Sequence, residues 1–457
     1  MLKLLTCSQG HFWEVEETEA NGDSTHEINF LPRQVCPTCG SAAESLPDFQ
    51  LAASDEAAPA AAPPPAPTAA PYPAMSASLA GAAPPMTYDL GILGSKVAIG
   101  GVLSGLAQVQ THHVLGDDKT LVDLSNAQIF INKSDGWFQY YIQAGTYSLP
   151  ALGSAPYRFS TRNNNNGLNA PSANFGNLPT AFAKLVPPSG PLSAFSLEVG
   201  LLPTLIGDEY VFTFENLNIT RGLLWGAEPA ISRGVQLNYS AGPLSASVAW
   251  TDGFYSNRYN TISGLATLTI NSSNTLAVDA SIPVSKSTTY QGTNATSTAF
   301  DNSKVFNIMY THTMGQWIIN PYLQYTALPE VINGGVLYNG KEETWGAALL
   351  VNYAFDSKAT FDGVSLSGLS LPFRVEYMHT NGSPNSSPPS PNLLYGAGSK
   401  AWSFTVTPTY QYKNYFVRAE ANYVTATDVD TTHGAGYGIF GTKKDQLRGL
   451  IETGVLF

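Results

Sequence analysis

The sequence predicts an all-β fold: a closed antiparallel transmembrane β-barrel of about sixteen strands (range fourteen to eighteen) over residues 95–457. Three observations carry this. Short runs alternate strictly between apolar and polar residues, charged residues make up only 12% of the chain, and short connections alternate with long ones. A typical soluble protein is about 25% charged. A barrel strand faces lipid on one side and water on the other, so successive side chains must alternate in character.

The runs justify the strands in order. At 136–145, Phe138, Tyr140, Ile142 and Ala144 oppose Gln139, Tyr141 and Gln143. At 372–378, Phe373, Val375 and Tyr377 oppose Arg374 and Glu376. Trp402, Phe404, Val406, Pro408, Tyr410 and Tyr412 form one face of 401–412, and Ser403, Thr405, Thr407, Thr409 and Gln411 form the other. The next run sets Tyr415, Val417, Ala419, Ala421 and Tyr423 against Arg418, Glu420 and Asn422. In the final run, Ile451, Thr453, Val455 and Phe457 oppose Arg448, Glu452 and Gly454. A soluble β-sandwich also alternates, but its wet face carries Lys and Glu. Here that face is mostly Ser, Thr, Asn, Gln and Gly, and aromatic residues gather near strand ends as a membrane-interface girdle requires.

The predicted strands are 95–110, 119–132, 136–148, 178–187, 192–204, 231–240, 243–252, 261–271, 274–285, 303–313, 316–327, 342–354, 367–380, 400–412, 414–426 and 447–457. Short turns fall at 133–135, 188–191, 241–242, 272–273, 314–315 and 413. The turn 355–366 is longer than the pattern wants. Long loops lie between, at 149–177, 205–230, 286–302, 328–341, 381–399 and 427–446. An even strand count with both chain ends on the short-turn side is the signature of outer-membrane barrels. No stretch reaches the roughly 20 apolar residues that a spanning helix needs. The barrel must close, because an open edge in lipid leaves backbone groups unsatisfied, and sixteen strands enclose a lumen rather than a packed core.

The formal charge of −12 is uneven: residues 1–86 hold 2 basic and 10 acidic side chains, leaving 20 and 24 for residues 87–457. With no basic patch, nucleic acid is not an expected partner. All three cysteines precede residue 40, so the barrel region is cysteine-free, which suits export through an oxidising compartment.

Two segments precede the barrel. Residues 46–94 include a Pro/Ala-rich tract, read as a disordered linker. Residues 1–45 are charged and resemble a zinc ribbon: Cys7 and His11, with Cys36 and Cys39 from a CPTCG turn, would supply a tetrahedral zinc site, and His26 is a rival fourth ligand. The start MLKLLTC is too short for a signal peptide. A zinc ribbon also suits a reducing compartment. The expectation is therefore that residues 1–86 reflect a fusion or a misassigned start, and the outer-membrane location leaves the first module unexplained.

Alternation places charges on the lumen wall at Lys184, Glu198, Asp279, Arg374, Glu376, Arg418, Glu420, Arg448 and Glu452. Both signs occur, so they are read either as a transverse field across an open path or as paired structural charges. The small acidic excess favours cations weakly.

The stretch 178–256, centred on 196–240, resembles the β-barrel porins of the OmpL-like type, and the opening GVLSGLAQVQ and closing QLRGLIETGVLF fit the same family. The resemblance implies an outer-membrane porin passing small hydrophilic solutes or ions by diffusion through a water-filled lumen, with no catalytic residues. It also implies that the loop after strand Glu198–Gly207 folds inward and narrows the pore. By its own chemistry loop 208–230 suits that role, with Asp208, Glu209, Glu215, Asn216, Asn218, Arg221 and Glu228 interspersed among Phe212, Phe214, Leu217 and Trp225. The competing reading is an external loop capping the rim. The expected partners are outer-membrane lipid and the permeating solute. A homotrimer and a monomer are equally compatible. His112, His113, His312, His379 and His433 sit in no nucleophile motif, so an enzyme is not expected. The alternative function is a structural or adhesive barrel with a plugged lumen.

Overall fold

A computed structural model describes residues 73–80, 85–93, 96–153, 175–288, 298–356, 358–383 and 394–457, and three short strands before them. The chain divides into two units, Met1–Ala66 and Pro67–Phe457. In the first unit Leu2–Cys7 is the centre of a three-stranded antiparallel sheet, flanked by Phe12–Glu16 and Ala43–Ser45. Of the expected zinc ligands, Cys7 ends the central strand opposite Ala43. His11, Cys36, Cys39 and the rival His26 lie outside the described residues.

The second unit is a closed antiparallel barrel of sixteen strands. In chain order these are β1 (Val97–Gln110), β2 (Thr120–Lys133), β3 (Phe138–Tyr147), β4 (Thr180–Leu185), β5 (Phe195–Pro203) and β6 (Ile231–Ala241). There follow β7 (Leu244–Thr251), β8 (Thr261–Asn271), β9 (Asn274–Pro283), β10 (Lys304–Met314) and β11 (Trp317–Leu328). The circuit continues through β12 (Glu342–Ala354), β13 (Leu369–Thr380), β14 (Lys400–Val406 continued by Thr409–Tyr412), β15 (Tyr415–Thr427) and β16 (Asp445–Leu456). Each strand pairs with its sequence neighbour, and β16 closes on β1 from Arg448↔Gln110 to Leu456↔Val102. The short strand Met86–Tyr88 extends the same edge of β1. Among the described residues no helix is long and apolar enough to cross a membrane; the strands cross it.

The strands and turns fall within a few residues of the positions read from the alternation. The long turn 355–366 contains a miniature hairpin, Thr360–Phe361 against Val364–Ser365, reversed at Asp362 and Gly363, both with positive φ. The interruption in β14 falls at Pro408, whose missing N–H breaks the ladder on one side. At the closure, Gly101 and Phe457 exchange two backbone hydrogen bonds of 2.7 and 3.0 Å. A Cβ on Gly101 would stand 2.6 Å from the Phe457 ring, so only glycine lets the terminal aromatic lie against the first strand.

The outer surface is the lipid-facing one. Leu349, Val248, Ile308 and Leu323 are exposed along the middle of their strands. Trp137, Phe138, Trp317, Tyr412 and Tyr415 gather at the short-turn end, and Trp250, Trp345, Trp402 and Tyr423 toward the long-loop end. Along β15, burial alternates residue by residue from Tyr415 to Val424. The polar residues of that strand point into the barrel because the surrounding lipid offers them no hydrogen bonds.

Candidate functional site: a loop folded across the lumen

The loop from β5 to β6 turns into the barrel at a fixed neck. Ile231 still pairs with Pro203. Just beyond, the Thr204 hydroxyl donates to the Pro229 carbonyl at 2.6 Å and accepts from the Ile206 N–H at 2.9 Å. Gly207 makes the inward bend with φ of +78°, and a Cβ there would overlap the Glu228 carboxylate. From this neck nearly every residue of the loop is buried.

Two apolar clusters hold it. Phe212 and Phe214 join Phe130, Tyr141, Tyr147, Phe416 and Leu456 of the wall. The Tyr147 ring meets Phe212 edge-on at 4.9 Å, and Phe130 meets Phe214 at 5.4 Å. Leu217, Leu223 and Leu224 join Met309, Tyr322, Ala348, Leu350 and Met378. A Cβ on Gly346 would meet Leu224 Cγ at 2.9 Å, so the inward glycine of β12 makes the recess for that leucine.

Polar contacts then reach the wall from many directions. Asp208 accepts from Asn320 Nδ2 at 2.6 Å on β11. Glu209 accepts from Arg374 Nη1 at 2.5 Å on β13, and from the Gly222 N–H at 2.7 Å within the loop. Asn218 Nδ2 donates to Thr407 at 2.8 Å, between the two parts of β14. Glu420 on β15 accepts from the Ile219 N–H at 2.6 Å and from the Thr220 N–H at 3.2 Å, and bonds the Thr220 hydroxyl. The Thr213 hydroxyl donates to Glu452 on β16 at 2.6 Å and accepts from Asn126 of β2 at 2.7 Å. Glu228 is bonded by Tyr322 and by Gln324 Nε2 at 2.7 Å, both on β11. The loop therefore bridges the whole bore.

The remaining loop residues organise the loop itself. Glu215 accepts from the Phe212 N–H at 3.0 Å. Asn216 accepts from the Tyr210 N–H at 2.8 Å and donates to the Phe212 carbonyl at 2.6 Å. Arg221 is fully enclosed with its guanidinium 5.6 Å from the Trp225 ring centre. Its backbone exchanges hydrogen bonds with Pro150 and Leu152 of the β3–β4 loop at 3.0 and 2.9 Å. Burial pushes the Asp208 carboxyl up to about 6, with the Asn320 hydrogen bond acting against the rise. The Glu215 and Glu228 carboxyls are raised well above their ordinary value by the same burial.

The wall charges point inward, and most meet the loop rather than open water. Arg374 lies 3.3 Å from Glu376, which in turn accepts from Ser403 at 2.6 Å and from the Leu224 N–H at 3.2 Å. Arg418 donates to Glu452 at 3.1 Å and to the Thr213 and Asn216 carbonyls at 3.0 Å each. Asp279 accepts from the Gly207 N–H at 2.9 Å and from Asn307 at 2.8 Å. Arg448 donates to Gln110 at 3.0 Å and to the Ala151 carbonyl of the β3–β4 loop at 3.2 Å. Lys184 and Glu198, 3.0 Å apart on β4 and β5, stand away from the loop. They border a cavity of about 210 Å³ near the short-turn end.

Several contributors have no charge to mark them. Asn320, Tyr322 and Gln324 are alternate inward residues of β11, so the alternation pattern carried their signal. Thr213 and Thr220 gave none. Nor did residues 73–80, which composition assigns to the linker: Met75 and Leu79 are buried in the barrel's clusters. They are rare apolar side chains in an Ala- and Pro-rich tract, and their burial is what seats that part of the tract.

The profile of the family described as "Putative beta-barrel porin-2, OmpL-like" matches residues 96–457. No curated protein sequence matches the chain. Solved structures that resemble it include OmpF of Salmonella typhi in complex with daunomycin, at 14% identity and a TM-score of 0.50, covering 81% of this chain and 100% of that one. The anion-selective porin of Comamonas acidovorans matches at 12% identity and a TM-score of 0.48, over 79% and 99% of the two chains. The channel DcaP of Acinetobacter baumannii matches at 11% and 0.47, over 79% and 97%. At 14% identity the likeness to OmpF speaks to fold alone.

Proposed function

The chain belongs to the OmpL-like β-barrel porin family, an outer-membrane family of barrels, and on that premise we propose that loop 208–230 is the pore constriction of a passive diffusion channel. The single observation behind this reading is that the loop is fixed across the bore to β2, β9, β11, β13, β14, β15 and β16. A solute crossing the barrel must pass beside it. We read Asp208, Glu209, Glu215, Asn216, Asn218, Arg221 and Glu228 as the groups that shape the constriction. Arg374, Glu376, Arg418, Glu420, Glu452 and Asp279 act as anchors, Arg448 holds the neighbouring β3–β4 loop, and Lys184 with Glu198 lines the approach. Small hydrophilic solutes or ions are the cargo class, with cations mildly preferred over anions by the acidic excess, and the protein works as a channel without catalysis.

The purified chain in a planar bilayer tests this: stepwise conductance, with a reversal potential favouring cations in a salt gradient, is the expected outcome. A clear anion preference would overturn the selectivity. A second reading, a structural barrel with a plugged lumen, is favoured by the near-complete burial of the loop, and liposomes that fail to swell in sugar would support it. Zinc at Cys7, His11, Cys36 and Cys39 is a separate proposal for the first module. Cys7 pairs with Ala43, which follows Cys39 by four residues in the sequence, and this supports the reading. Zinc content of the full chain, lost in Cys39→Ser, is its test. Assembly as a homotrimer is likewise open to direct mass measurement.

A further inference from the structure

Residues 73–80 enter the barrel ahead of its first strand. The Met75 N–H donates to the Glu215 carbonyl of the constriction loop at 2.9 Å. A tight turn follows at Ser76–Ser78, closed by the Ser78 N–H on the Met75 carbonyl at 3.3 Å, with Ala77 at φ of +62°. Leu79 is then buried in the cluster that holds Val102, Phe130, Phe416 and Leu456. The Gln411 amide on β14 brackets the next residue, accepting from the Ala80 N–H at 3.2 Å and donating to its carbonyl. At the other end of the segment Pro73 borders the cavity lined by Lys184 and Glu198 on β4 and β5. The segment thus spans the bore from the β14 wall to the β4–β5 wall, on the short-turn side of loop 208–230.

We propose that this half of the lumen is a peptide-binding site, that its occupant is the chain's own Pro73–Ala80, and that the channel is closed while the segment is seated. The wall residues argue for an occupant. Val102, Phe130, Phe416 and Leu456 face inward at positions where alternation calls for polar groups, and Leu79 packs into the cluster they form with Phe212 and Phe214 of the constriction loop. The segment supplies Leu79 to that cluster and Met75, four residues earlier, to the neighbouring cluster around Leu217 and Leu223, with small uncharged residues forming the turn between them. Backbone hydrogen bonds to Glu215 and Gln411 satisfy polar groups of the peptide that would otherwise be buried without partners. Because Met75 bonds the constriction loop directly, withdrawing the segment frees one face of that loop.

The proposal rests on the channel reading, and its test separates the two. The full chain and its Met75→Asp/Leu79→Asp variant are compared in planar bilayers, with heat-modifiable gel mobility confirming that each barrel is folded. The variant is expected to show several-fold higher conductance or open probability. Gln411→Ala, which leaves the segment intact, is expected to give brief repeated openings. A synthetic peptide of residues 73–80 added to the short-turn side should block the variant, and added to the other side should not. Equal conductance of parent and variants, with no peptide block, overturns the plug and leaves the channel standing. If no form conducts, both the plug and the channel reading fall.

Discussion

Arg374 of β13 meets Glu209 of the in-folded loop at 2.5 Å, and neither side chain is reached by solvent to any useful extent. The same guanidinium donates to the Thr220 carbonyl at 2.8 Å, so one wall residue holds the loop at two points eleven residues apart in sequence. Removing one partner of a buried pair leaves the other charge uncompensated, at a cost of about 3–5 kcal/mol. Arg374→Met strands both Glu209 and Glu376. The barrel ladders do not depend on this contact, so the loss falls on the seating of the loop. The expected outcome is a lower unfolding temperature on heat-modifiable gels together with higher single-channel conductance. Arg374→Lys keeps the charge but not the planar fork and should fall between. Unchanged conductance in Arg374→Met would show that the loop does not need this anchor.

Gly346 carries a second prediction. Its missing side chain is the space into which Leu224 packs, with Leu224 Cγ 2.9 Å from where a Cβ would lie. Gly346→Leu overfills the recess at about 1–3 kcal/mol and must push the loop from the β12 wall. Conductance should rise while the barrel stays folded. A crystal structure of the variant with Leu224 unmoved would refute the packing argument.

The pH response follows from Asp208, which lies in the loop outside the spanning strands. Burial holds its carboxyl at about 6, above the ordinary value of 3.8. A carboxyl raised in the folded state contributes its stability below the ordinary value and loses it as pH climbs through the raised one. The loop is therefore seated most firmly near pH 4 and loosens progressively towards pH 7. Channel conductance should increase over that interval, and Asp208→Asn should shrink the step, the remainder falling to Glu215 and Glu228, which burial also raises. A steeper step in the variant would rule out Asp208 as the titrating group.

The lipid face offers a control that does not touch the site. Leu349 lies at mid-strand on β12, pointing outward. Arginine at the bilayer midplane costs about 2–4 kcal/mol on a barrel's outer face. Leu349→Arg should lower the unfolding temperature in lipid vesicles while leaving the conductance of folded channels as it was. Full stability would mean that this surface is not in contact with hydrocarbon.

How much of this was legible in the sequence depended on which physical constraint acted. The membrane imposes a period of two on every strand, so Trp402, Phe404 and Tyr410 could be assigned outward, and Ser403 and Thr405 inward, from sequence alone. Long and short connections follow from which side faces the cell exterior, and their alternation alone orders the sixteen strands. The same periodicity put Arg374, Arg418 and Glu452 inside. Periodicity says nothing, however, about what an inward charge meets. That Arg418 grips the Thr213 and Asn216 carbonyls, and Glu420 the Ile219 and Thr220 amides, depends on residues some 200 positions apart in the chain.

What the sequence determined by itself is the barrel: its strand number, its facing and its direction of closure onto Phe457. All of these answer to local alternation and to the need to satisfy every backbone group within lipid. Only the tertiary structure decided that the lumen is crossed by a pinned loop and, beneath it, by Pro73–Ala80. Those contacts form between segments that no local rule links, once the closed wall has brought Gln411, Glu215, Met75 and Leu79 into the same enclosed space.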